Sequence, residues 1–304
     1  MTSTAPVIIE VALNGQTRRE RNPHVPLSRE EIVGEGLRCL AAGASILHHH
    51  NQALGVPAEE AAAEYGAVFS RWLARDPDAL CLPTLGSGST TGEKLRHVAL
   101  LAQAGLVRMG FIDPGSLVLG WADANGRPDR NSFVYVNTFA DIELAIEQCR
   151  EHRLGLHLAL FEPGFLRNVL SYHRLGELPP GSFVKFYFGG EGGYMANGPG
   201  VSFGLPPTRI ALDAYLEMLE LERCRLPWFS AVVGGDCFAT PIPRETLLRG
   251  GHLRVGLEDF YGARTPSNFE LVEQAAALAR ELGRPIATPK QAAEILGLPR
   301  LAAR

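Results

Sequence analysis

Short apolar runs alternate with longer amphipathic segments along the whole chain, and this rhythm restricts the fold more than any other feature of the sequence. Strands separated by helix-length segments pair in parallel, with each helix crossing over to the next strand. Nine runs qualify as strands: residues 7–13, 45–49, 79–82, 106–111, 133–136, 155–160, 183–188, 228–233 and 253–257. The helix starts between them are legible. Ser28 with Glu31 and Ser267 with Glu270 have the spacing of a capping box, and Thr288-Pro289 with Gln291 adds proline at the first helical position. No shift in composition or charged linker divides the 304 residues, so one domain is expected, with a helical extension at the C-terminus. Eight strand–helix units match the roughly 250 residues of a (β/α)8 TIM barrel, which leaves one candidate strand too many. A doubly wound open sheet has the same local pattern, but its phosphate-binding signal belongs in the first strand-to-helix turn. Here that turn is Asn14-Gly15-Gln16, with no GxGxxG.

In a closed barrel the chemistry gathers at the C-terminal ends of the strands, and His50, Asp113, Glu162 and Glu258 fall at or just past such ends. The most specific of these ends is Ile46-Leu47-His48-His49-His50. Alternate residues of an extended chain share a face, so His48 and His50 converge while His49 points away. Two imidazoles do not make a metal site. A carboxylate at the end of the run His252-Leu253-Arg254-Val255-Gly256-Leu257-Glu258-Asp259 supplies a third ligand. His, His and Glu leave coordination positions for water or substrate, which is the pattern of catalytic sites. Zn²⁺ is the first expectation for such a ligand set, with Mn²⁺, Co²⁺ or Fe²⁺ as alternatives. Glu258 and Asp259 cannot both face inward from a regular strand, so one ligates and the other leans over from the strand end. Arg254 has the parity of Glu258, and an interior guanidinium requires an anionic partner, from the protein or from a substrate carboxylate.

The segments 15–27, 86–92, 113–130 and 189–207 follow candidate strands, are rich in Gly, Pro, Asn and Ser, and read as functional loops. Within them, Gly189 and Gly190 could let backbone amides approach a phosphate or carboxylate, and Asp113-Pro114-Gly115-Ser116 forms a turn with Ser116 as a donor at its end. Mixed charges netting −4, without a single-sign run, give no surface for nucleic acid. No apolar stretch reaches the ~18–20 residues of a membrane span, and no secretory leader is read at the N-terminus. Five scattered cysteines without CxxC spacing fit reduced, buried thiols and a cytoplasmic protein. Cys237 beside Asp236 carries no mark of a lowered-pKa nucleophile.

Several of these motifs together resemble the β-keto acid cleavage enzymes, the group that includes 3-keto-5-aminohexanoate cleavage enzyme. They are the opening strand and loop at 8–15, Pro26-Leu27-Ser28-Arg29-Glu30-Glu31-Ile32, Ala42-Gly43-Ala44, Asp113-Pro114-Gly115-Ser116, and above all Gly250 to Asp259 followed by Asn268-Phe269-Glu270-Leu271-Val272 and Ala287-Thr288-Pro289. The resemblance implies a TIM barrel, a homo-oligomer (dimer or tetramer), and a zinc ion held by His48, His50 and Glu258. It also implies Asp259 and Arg254 as acid–base and polarising partners, and substrate contacts at Asn14, Thr84, Ser116, Gly189 and Gly190. The implied reaction joins a small β-keto acid to acetyl-CoA as co-substrate and yields acetoacetate and a new acyl-CoA. The chain is a divergent member by this reading. Asn51-Gln52-Ala53 follows the histidines in place of Ala-Arg-Asp, and Pro83-Thr84-Leu85-Gly86-Ser87-Gly88 replaces a Ser-Thr-Gly-Gly-like turn. The strand at 155–160 has His157 and Ala159 where an acid is expected, and Phe260 follows Asp259 where Asn is common. Two other functions fit the same ligands: an aldolase or acyl-CoA lyase that needs no acetyl-CoA, and a metal-stabilised binding protein without turnover.

Overall fold

A computed structural model describes residues 5–51, 55–123, 125–194 and 203–300. The Gln52-Ala53 departure and the middle of the loop at 189–207 lie outside these residues. Eight parallel strands form the barrel: β1 (Ile9–Ala12), β2 (Ile46–His48), β3 (Leu80–Leu82), β4 (Met109–Ile112), β7 (Gly155–Leu160), β8 (Phe183–Gly189), β9 (Trp228–Val233) and β10 (His252–Val255). Their order around the ring is β3-β2-β1-β10-β9-β8-β7-β4, and β3 meets β4 at the remaining seam without a hydrogen-bonded ladder. The outer helices are α1 (Arg29–Ala42), α2 (Ala58–Arg75), α3 (Thr91–Gln103), α4 (Phe139–Glu151), α5 (Pro163–Arg174), α6 (Arg209–Leu221), α7 (Ile242–Leu248) and α8 (Asn268–Glu281), followed by α9 (Pro289–Leu296). The architecture is the (β/α)8 TIM barrel expected from the alternation.

The surplus strand is the run at 133–136. It forms β6 (Phe133–Tyr135), antiparallel to β5 (Leu117–Leu119), in a hairpin inserted between β4 and α4. Its burial explains the difference: Phe133 and Val134 are exposed, whereas β4 and β7 are buried throughout. A fully buried parallel strand is covered on both faces, and this segment is not.

The local signals act where the sequence places them. Ser28, Ser267 and Thr288 each accept a hydrogen bond from the backbone amide three residues on, and Glu31, Glu270 and Gln291 reach back to complete the boxes. Thr90 with Glu93 and Thr138 with Asp141 form two more. Outside the barrel wall, Trp72, Phe69 and Tyr65 on α2 surround His49, with ring centroids 4.8–5.4 Å apart. The middle histidine of the triplet is therefore a core residue, as strand parity requires. All five cysteines are buried and unpaired in disulfides, and among the described residues no helix is long and apolar enough to cross a membrane.

Candidate active site and metal centre

The strand register carries the site. Ala12 of β1 is level with His48 of β2, and His48 with Leu82 of β3. On the other side of β1, Glu10 is level with Arg254 of β10. The C-terminal end of β2 thus stands one strand removed from the C-terminal end of β10. After Val255 the chain leaves the extended conformation at Gly256, whose φ of +141° and close approach to the Ala12 carbonyl exclude a Cβ. The turn that follows swings both Glu258 and Asp259 over the barrel mouth, which a regular strand would not allow. Gly15, at φ +52°, leaves space for the Glu258 side chain, since a Cβ there would lie 2.3 Å from its Cγ.

His48, His50 and Glu258 offer ligand atoms that all lie within 4.8 Å of one another. His48 Nδ1 lies 2.9 Å from the Leu82 carbonyl, so that nitrogen carries the proton and donates. The Nε2 lone pair of the neutral ring then faces Glu258 Oε2 at 3.1 Å, and His50 Nε2 stands 3.4 Å from the same oxygen. Burial holds the His48 pKa below its usual value despite the Glu258 charge, which favours the neutral ring. Both ring nitrogens of His50 and the Glu258 Oε2 are buried without a hydrogen-bond partner. Acceptors converging on one point without donors are what a divalent cation requires. The Leu82 carbonyl that fixes the His48 tautomer is the outer partner such ligands usually have.

Arg254 joins this cluster to the rest of the site. It donates from Nε to Asp259 Oδ2 (2.7 Å), from Nη2 to Asp259 Oδ1 (2.9 Å) and to Glu258 Oε1 (2.8 Å), and from Nη1 to Glu10 Oε1 (3.0 Å). Lys185 of β8 donates to the same Glu10 oxygen at 2.5 Å, with both side chains fully buried. Burial lowers the Lys185 ammonium to about 8 in spite of Glu10. For Asp259, burial raises the pKa and Arg254 only partly opposes it. For Glu258, burial acts upward too, but Arg254, His50 and His48 prevail and hold it well below the carboxylate range. The neighbouring carboxylates are thus driven apart, one toward holding charge and the other toward accepting a proton.

His48, His50, Arg254, Glu258 and Asp259 open into a cavity of about 240 Å³ lined also by Gly15, Gln16, Thr84, Phe111, Asp113, Tyr135, His157, Phe161, Tyr187 and Tyr194, with Glu10 and Lys185 buried beneath it. The structure brings together His48, His50, Glu258, Asp259, Arg254 and Thr84. It places the remaining candidates elsewhere. Asn14 is buried and engaged with the His50 backbone in both directions, accepting from its amide at 2.9 Å and donating to its carbonyl at 3.1 Å, so it fixes His50 rather than lining the cavity. The Ser116 hydroxyl is bound to the Asn137 carbonyl and amide. The amides of Gly189 and Gly190 already donate to the carbonyls of Leu205 and Val233. His157, which stands where an acid is expected, lines the cavity, and the sequence does not single out Glu10 and Lys185, which support Arg254 from below. Glu10 and Lys185 have a signal nonetheless, since each is a lone charge inside an apolar strand.

The family model described as β-keto acid cleavage enzyme matches residues 6–298. Among curated proteins, the chain is 27% identical to 3-keto-5-aminohexanoate cleavage enzyme of Acetoanaerobium sticklandii over 96% of this chain and 98% of that one. It is 26% identical to 3-oxoadipate:acetyl-CoA acetyltransferase of Cupriavidus necator, over 97% and 96%. It is 24% identical to 3,5-dioxohexanoate:acetyl-CoA acetone transferase of Paraburkholderia graminis, over 98% and 97%. Among solved structures, ObcA superposes with a TM-score of 0.68 at 17% identity, over 91% of this chain and about two thirds (66%) of that one, a likeness of fold. With its barrel, its convergent strand ends and a family match from end to end, the chain belongs to the β-keto acid cleavage enzymes.

Proposed function

We propose that this enzyme is metal-dependent and transfers an acyl group by condensing a small β-keto acid with acetyl-CoA, giving acetoacetate and a new acyl-CoA. The observation that carries the reading is the meeting of the acceptor cluster His48, His50 and Glu258 with the Arg254–Asp259 pair in one cavity. Two imidazoles and a carboxylate suit Zn²⁺ best, and a bound zinc would act as a Lewis acid that makes the carbon between the substrate's keto and carboxylate groups acidic. The compounds for which the relatives are named, 3-keto-5-aminohexanoate, 3-oxoadipate and 3,5-dioxohexanoate, share this carbon.

Asp259 takes the proton from that carbon. Its buried position raises its basicity, and the Arg254 fork fixes its orientation. The carbanion attacks the acetyl-CoA carbonyl and expels the CoA thiolate, which then attacks the original keto carbon. Scission of the bond between that carbon and the deprotonated one leaves the acyl group on CoA, and Asp259 returns its proton to give acetoacetate. Glu258, held ionised by Arg254, would hold the metal together with His48 and His50. Exposed Val118, Val134, Val136 and Phe139, on or beside the β5–β6 hairpin, offer a face for a second copy, in keeping with a homo-oligomer that light scattering would detect.

A panel of β-keto acids with acetyl-CoA, scored for acetoacetate before and after chelation and zinc return, tests the reading. Chelator-sensitive, acetyl-CoA-dependent acetoacetate is expected. Product from the keto acid alone would mark a lyase, and full activity after complete metal removal would refute the metal role.

A further inference from the structure

Among the described residues around the cavity, Glu10, Glu258 and Asp259 are ion-paired and Asp113 is not. Arg254 holds Glu258 and Asp259, and Lys185 with Arg254 holds Glu10. Asp113, one residue past β4, is surrounded by protein with one side on the cavity, and its hydrogen-bonding side chain is a phenol: Tyr135 of the hairpin donates to its Oδ2 at 2.6 Å. Among the described residues no Lys, Arg or His forms an ion pair with it.

Aromatic rings line the same cavity as that carboxylate. The Tyr135 ring lies 6.3 Å from Phe161, which follows β7, and Phe161 lies 6.1 Å from Tyr194. Phe161 is itself fixed by Phe203 at 4.9 Å and, edge to face, by Tyr187 at 5.0 Å. The hairpin that carries Tyr135 is fastened beside Asp113, with Asn137 Nδ2 donating to the Asp113 carbonyl at 2.9 Å. In the ring of strands, β4 and β7 are adjacent, and β4 stands across from β10, which leads to Glu258.

A cavity that holds a carboxylate without an ion pair beside several aromatic rings is a receptor for a cation, because ring faces carry the negative side of their quadrupoles and the acid supplies full charge. We infer that this side of the cavity receives an alkylammonium group on the tail of the substrate, with Asp113 as the specificity-determining residue and Tyr135, Phe161 and Tyr194 as the cage. The inference rests on the β-keto acid reading and narrows it to ammonium-bearing members. An anionic tail would meet Asp113 as a like charge. An alkyl tail would cover the carboxylate and leave its charge unneutralised.

The test compares β-keto acids of one chain length that end in ammonium, methyl or carboxylate, each with acetyl-CoA and the zinc-loaded enzyme. Expected is a kcat/KM for the ammonium acid above that for the methyl acid by on the order of 10- to 100-fold, the carboxylate acid being poorest. Asp113→Asn should collapse the ammonium-to-methyl ratio by a similar factor through KM, and Asp113→Glu should recover part of it. The ammonium preference should also fade as pH falls below about 6, where burial of Asp113 leaves its carboxyl protonated. Equal or better use of the methyl or carboxylate acid, unaltered by Asp113→Asn, would overturn the inference while leaving the reaction intact. If no acid is turned over, the reaction reading fails on its own. Calorimetric binding of the same acids would then decide for the cation site if the ammonium acid alone binds, or against it otherwise.

Discussion

Arg254 grips Asp259 with two hydrogen bonds in parallel, Nε to Oδ2 at 2.7 Å and Nη2 to Oδ1 at 2.9 Å, although the two residues stand only five apart. The turn at Gly256 makes this possible by folding Asp259 back over the strand end that carries Arg254. A planar fork holds a carboxylate in one orientation, which an ammonium cannot do. Asp259→Asn is therefore expected to retain metal and lower kcat by about 10²–10⁴-fold. Arg254→Lys should lose much of the same rate with the charge preserved. Steady-state kinetics beside elemental analysis checks both.

Removing a ligand has a different signature. His48→Ala, His50→Ala and Glu258→Gln should each lose bound metal together with activity, because each deletes one of three atoms within 4.8 Å of one another. The measurement is metal stoichiometry after dialysis against a weak chelator. A Glu258→Gln protein with full metal content would remove Glu258 from the ligand set.

Beneath the site, the fully buried Lys185–Glu10 pair leads to a stability prediction. Lys185→Met leaves Glu10 with Arg254 as its remaining cation, so the loss should fall below the roughly 3–5 kcal/mol that a wholly unpaired buried charge costs. Adding Glu10→Gln should return a large part of the loss. Thermal denaturation of the two single variants and the double variant completes the cycle.

Asp113 should reveal itself in pH-dependent stability. Burial raises its pKa to about 6 from an ordinary 3.8. The folded protein therefore holds this proton more tightly than the unfolded chain, and ionisation of the group weakens the fold as pH rises from about 4 to 6. The penalty is absent below that window and complete above it, at about 3 kcal/mol from the size of the shift. Asp113→Asn should raise Tm at pH 8 and leave it nearly unchanged at pH 4. Equal shifts at both pH values would show that the carboxylate is not strained by its surroundings.

The fold was legible because strand and helix lengths, caps and burial all act locally, and the His48–His50 pair because parity along a strand is a local rule. Glu258 and Asp259 entering together was not, since it depends on the positive φ of Gly256 and its approach to Ala12 from another strand. The run at 133–136 has strand composition but lies outside the barrel, and only the uncovered faces of Phe133 and Val134 reveal this. Asn14 and Ser116 were read as reaching substrate. Their polar groups are instead held by His50 and Asn137, and such pairings across the fold leave no trace in the order of residues. Glu10 and Lys185 did leave one, as isolated charges in hydrophobic strands that had to find each other once the barrel closed.

The hairpin between β4 and α4 contributes no strand to the barrel, yet its Tyr135 is the group that touches Asp113. One wall of the proposed ammonium site is thus built by a segment that adds nothing to the barrel wall holding His48, His50 and Glu258. Sequence changes confined to this insertion can therefore reshape the mouth of the cavity while the barrel strands and the groups they carry stay as they are.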